Sequence, residues 1–104
     1  MSVAPAGEVR VLVYHATTDE QGVEAAYHQV SLEMAKVDGM LGNELLHSLP
    51  DPQGFLVLSR WRDEEAFHAW ERGASHQDST SPLRPFRDTR MSVPFGIYRV
   101  RAAY

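Results

Sequence analysis

The chain has 104 residues, 43% of them hydrophobic and 23% charged, with a net charge of −4 and a pI near 5.6. That length suits one globular domain spanning 1–104, and nine Arg with a single Lys, spread along the chain, form no continuous basic surface for nucleic acid. Cysteine is absent, which removes disulfides, thiolate nucleophiles and thiolate metal sites, and no apolar run approaches the roughly 20 residues that span a bilayer.

The first residues, MSVAPAGE, have neither a basic start nor an apolar core, so residues 1–8 are expected to be a flexible tail and the protein a soluble, cytoplasmic one with no membrane partner. Val9 to Ala16 is a β-branched run with Val9, Val11, Val13 and His15 on one face and Arg10, Leu12 and Tyr14 on the other. Thr18, with Gln21 three residues on, predicts a capping box. Val23, Ala26, Tyr27, Val30, Met34 and Val37 then recur at helical spacing until Asp38-Gly39. Asn43 to Leu49, the turn-forming PDPQG, and Phe55 to Trp61 predict an antiparallel hairpin, since the loop is too short for a crossover.

Asp63 offers an N-cap carboxylate to a short helix, Glu64 and Glu65 suit its positive end, and Gly73 is expected to close it in the left-handed conformation. Ala66, Phe67 and Trp70 share its inner face, with Glu64, His68 and Arg72 facing away. A polar loop, Gly73 to Thr80, leads to a turn of helix from Ser81-Pro82 through Phe86, and Ser92 to Ala102 reads as the last strand.

The order strand, helix, strand, strand, helix, strand is that of an α+β, ferredoxin-like βαββαβ domain, with a four-stranded antiparallel sheet and both helices on one face. The first and third strands are apolar on both faces, so the second face (Leu12, Tyr14, Leu56, Leu58) needs a cover. A homodimer packed sheet on sheet supplies one. Five His would suit a metal, yet none lies at i, i+4 spacing or in a paired cluster, and no metal or other cofactor is expected.

GMLGNELLHS, the hairpin, and FLVLSRWRDEEAFHAW together resemble the antibiotic biosynthesis monooxygenase family of dimeric α+β barrels, over roughly residues 9 to 100. The resemblance implies a cavity between helices and sheet with Trp70 facing it, a polar aromatic six residues on at His76, and an arginine about twenty on at Arg90. The family's Asn one turn before the Trp is here Ala66, and its Asn near the end of the first strand is matched only by His15.

The family includes cofactor-independent oxygenases of aromatic polyketides. An electron-rich phenol or anthrone, once deprotonated, can pass an electron to O2 directly; the protein then needs a dry aromatic pocket, a base and a donor to the oxyanion. Phe67, Tyr27, Val13 and Phe86 are candidate substrate-binding walls, His76 or His15 the base, and Arg90 or Arg87 the phenolate partner. Trp70, His76, Arg90 and His15 form the candidate catalytic set, with O2 as co-substrate and a small aromatic compound as partner.

Two other functions stay open. Family heme-degrading oxygenases place an axial His nine or ten residues after the Trp, where this chain has Ser79 and Thr80. SPLRPFRD is similar to a segment of aromatic polyketide cyclases of the same fold, which implies a cyclase or a non-catalytic ligand-binding dimer. His28, His47 and His68 receive no role.

Overall fold

The computed structural model describes residues 7–73 and 79–104. Most of the expected tail, residues 1–6, and the candidate base His76 lie outside the described residues. Glu8, the last residue of that tail, is tied down: it is buried, and its carbonyl accepts the Val100 N–H at 2.7 Å.

In chain order the elements are β1 (Val9–Ala16), α1 (Glu20–Met34), β2 (Met40–His47), β3 (Gly54–Trp61), α2 (Glu64–Glu71), a 3-10 turn (Ser81–Phe86) and β4 (Phe95–Arg99). The strands form one antiparallel sheet in the order β2-β3-β1-β4, the expected ferredoxin-like topology. The alternating valines of β1 give it two partners: Val9 pairs with Trp61 and Arg99, and Val13 with Val57 and Phe95.

α1 starts differently from the expected capping box. Asp19, not Thr18, is the cap, accepting the Gly22 N–H at 2.9 Å, while Thr17 Oγ1 accepts the Asp19 N–H. Of three successive polar residues, the one that wins is the one from which the chain can turn out of β1. Asp63 caps α2 as expected, taking the Ala66 N–H at 2.8 Å. Gly73 departs from expectation: α2 closes through Arg72 in right-handed geometry, and Gly73 is not among the positive-φ glycines. Gly39 is, at φ +84, and it turns the chain from the end of α1 into β2.

β2 begins three residues earlier than expected, at Met40, through a bulge between Met40 and Gly42. β4 is shorter than expected, because Pro94 has no N–H to pair and its carbonyl instead accepts from Tyr14 N at 2.8 Å.

The core lies between sheet and helices. Val9, Val11, Phe55 and Trp61 from the sheet meet Val23, Ala26, Val30 and Met34 of α1, Ala66 and Phe67 of α2, and Leu83 of the 3-10 turn. Each such side chain contributes about 1.5–3 kcal/mol by leaving water. On the other face of the pleat Leu12, Tyr14, Leu56 and Leu58 are half-buried, and Tyr14, Leu56 and Leu46 align in one row across three strands.

Candidate functional site

The expected site residues occupy two separate places. Trp70 stands at the Trp61 end of the sheet, its ring 5.3 Å from that of Trp61 and 6.2 Å from that of Phe67. With Val37, Asp38, Arg62, Glu65, Ala66 and Ala69 it lines a groove of about 410 Å³. The small side chains of Ala66 and Ala69 leave that groove open, whereas Arg62 is tied at its rim to Asp38 at 3.5 Å and Asp63 at 3.3 Å.

His15 sits at the opposite end of β1, across from Phe55, whereas Trp61 pairs with Val9. At roughly 3.3 Å per residue this separates the two levels of the sheet by about 20 Å. Here the strand ends, the β2–β3 turn and the segment before β4 enclose a pocket of about 330 Å³, its walls including His15, His47, Phe55, Asp88 and Arg90. His15 is 4% exposed, and its Nδ1 is buried without a hydrogen-bond partner. Burial pushes its pKa below the ordinary 6.5; a backbone interaction with Val13 and the charge of Asp88 oppose that without reversing it. The ring is therefore neutral at pH 7 and able to take a proton.

Arg90 is placed beside this pocket but already has partners. Its Nε and a terminal nitrogen donate to the two oxygens of Asp88 at 2.9 Å each, and that terminal nitrogen also reaches Asp51 of the β2–β3 turn at 2.8 Å. Arg90 in this way holds the Asp88 and Asp51 carboxyls below the usual range, and the two carboxylates raise its own pKa in return. These bonds leave only the other terminal nitrogen of the guanidinium to donate to a phenolate. Arg87 pairs with His15 through an isolated backbone bridge, and its side chain is exposed.

The remaining expected walls are distributed along the core. Val13, Phe86 and Tyr27 are half-buried against it, and Phe67 is fully buried beside Trp61. Tyr27 is tied to β2: its hydroxyl donates to the Asn43 side-chain oxygen, which also accepts from Ser31 at 3.1 Å. Sequence reasoning missed Asn43, Asp51, Asp88 and His47. His47, given no role, stacks flat on Phe55 at 4.2 Å and lines the His15 pocket. The readable signal for Asp88 was an acid set inside the arginine series Arg84, Arg87, Arg90.

No group of three metal-ligating side chains occurs among the described residues. Nor do the described histidines fit a heme beside Trp70. His68 lies between Glu64 and Glu71 on the outer side of α2, His28 meets Tyr27 edge-on, His47 covers Phe55, and none lines the Trp70 groove.

A sequence model of the antibiotic biosynthesis monooxygenase family matches residues 9–80. Protein SchA of Streptomyces halstedii is 28% identical over 98% of this chain, and a 42.8 kDa protein in the whiE locus of Streptomyces coelicolor is 32% identical over 71% of it. The chain spans only 27% and 19% of those two proteins. A heme-degrading monooxygenase of Listeria welshimeri is 33% identical over 56% of this chain and 50% of its own length. Among solved structures, a mutant of SnoaB, a cofactor-independent oxygenase from Streptomyces nogalater, superposes with a TM-score of 0.76 at 16% identity, covering 92% of this chain and 95% of that one. A conserved protein of Methanosarcina mazei superposes with a TM-score of 0.75 at 18% identity, over 92% and 95% of the two chains. At such identities the superpositions show the fold alone.

Proposed function

Because the chain belongs to the antibiotic biosynthesis monooxygenase family, we propose that it oxidises an electron-rich aromatic hydroxy compound of the polyketide phenol or anthrone kind with O2, using no resident cofactor. The observation that carries this reading is His15: a buried, neutral imidazole whose Nδ1 has no hydrogen-bond partner, in a pocket whose walls on the same side of the sheet are His47 and Phe55. A phenolic ring against those walls gives its proton to His15. The anion passes one electron to O2, the two radicals combine at a carbon that still bears hydrogen, the peroxide takes the proton back from His15, and the hydroperoxide loses water to leave a carbonyl. One oxygen atom enters the product and the other leaves as water, so the balance needs no external reductant.

The reading without heme is supported by the lining of the Trp70 groove, where no described residue is a histidine. Trp70, about 20 Å away along the sheet, does not touch a substrate held at His15 and is assigned to a separate binding groove. The outer row Tyr14, Leu56 and Leu46 is assigned to a homodimer interface, which would dry the His15 pocket from that side.

A second reading, cyclase or non-catalytic binding dimer, is favoured by one observation: among the described residues the ionisable side chains lining the Trp70 groove are Asp38, Arg62 and Glu65, with no imidazole. A ligand held only there meets no described histidine to take its proton. O2 uptake with an anthrone probe, in the presence of a chelator and with 18O2 followed into the product, tests the first reading; His15→Ala should lower turnover about 100-fold or more. Product formation under strict anaerobiosis would transfer the assignment to the cyclase.

A further inference from the structure

His15 and Arg90 are both candidate catalytic residues, yet Arg90 commits its Nε and one terminal nitrogen to two carboxylates from different parts of the chain. Asp88 is 5% exposed, its N–H is bonded to the Tyr14 carbonyl at 3.1 Å, and both its oxygens are taken by Arg90. Asp51 comes from the β2–β3 turn, where its own backbone and side chain hold Gly54 N and Gln53 N. The three groups join the hairpin tip to the segment before β4, and both segments border the pocket of His15.

We propose that Asp88, Arg90 and Asp51 are positioning residues for His15, a charge clasp that governs when the imidazole carries a proton and through which Arg90 acts on the reaction without touching substrate. This rests on His15 as the base of the proposed oxygenase. The clasp carries two negative charges and one positive. Held shut, it presents His15 with a partly cancelled carboxylate: enough to steady the imidazolium formed when a phenol is deprotonated, too little to protonate the ring beforehand. Among the described residues the other ionisable groups near the ring are Tyr14 and His47, which line the same pocket, and Arg87, its backbone neighbour with an exposed side chain.

The clasp predicts shifts of opposite sign, which a purely structural role does not. Arg90→Gln leaves two uncancelled carboxylates and should raise the His15 titration midpoint by roughly half to one pH unit; Asp88→Asn should lower it by a similar amount. Asp51→Asn, an exposed change compatible with folding, should also lower it. Histidine NMR titration of the substrate-free protein reads all three. Opposite shifts for Arg90→Gln and either aspartate variant support the clasp; shifts of one sign, or none, overturn it. The acid limb of the O2-uptake profile should move with the ring. A limb that stays fixed while the ring shifts as expected leaves the clasp standing and removes His15 as the base.

Discussion

Gly39→Ala is a severe test of how the Trp70 groove is built. Gly39 has φ +84, a conformation that costs an L side chain about 1–2 kcal/mol. An added Cβ would stand 2.4 Å from the Ala66 Cβ, on the helix that carries Trp70. Carbon atoms rest at about 3.5–4.0 Å, so α2 must retreat by roughly 1 Å, against the Asp63 cap on one side and the Trp61–Phe67 contact on the other. Overpacking of that kind costs about 1–3 kcal/mol, giving a total of about 2–5 kcal/mol. Gly7→Ala is the internal control, since Gly7 has φ +102 with nothing within 4 Å of the added Cβ, and it should cost only the conformational part. Urea unfolding of both variants at one protein concentration measures the difference. Gly39→Ala no less stable than Gly7→Ala would refute the contact between the α1–β2 turn and α2.

Trp70→Phe should fold nearly normally, because the Phe67 and Trp61 rings remain, and should leave turnover of an anthrone probe at His15 nearly unchanged; a fall of about tenfold or more would place the reacting ring in the Trp70 groove instead. Leu56→Asp puts an unpaired charge in the middle of the outer row and should cost about 3–5 kcal/mol of dimer stability, read by sedimentation at micromolar concentration; an unchanged dimer would remove that face as the interface. His15 has a folded pKa below the unfolded 6.5, so its neutral burial favours folding fully above pH 6.5 and progressively less as pH falls from there toward the folded value. Wild-type protein should therefore lose urea resistance as pH falls below 6.5 by more than His15→Gln does.

Local signals carried the strands and helices, and side chains far apart in sequence built the site. Alternating valines in β1, the apolar stripe from Val23 to Met34, and Asp63 before Glu64 and Glu65 each act within a few residues, so each was legible. The β1–β3 register follows from burying Val9, Val11, Phe55 and Trp61 on one face. The clasp was not legible, because Arg90 and Asp51 are 39 residues apart in sequence and meet only once both flank the end of the sheet. For the same reason Trp70 and His15 read as one site. Both face the helix side, but the direction of α2 and the length of β1 decide that they stand at different levels.

The pairing of Glu8 and Val100 has a topological consequence. Gly7 N also lies within 3.4 Å of the Val100 carbonyl, so the first and last described strands leave the domain side by side, at the edge of the sheet remote from His15. A domain whose two ends emerge together can be spliced into or joined onto a larger polypeptide without stretching its sheet. The pocket at the hairpin end accordingly lies at the far end of β1 from both of these strand ends.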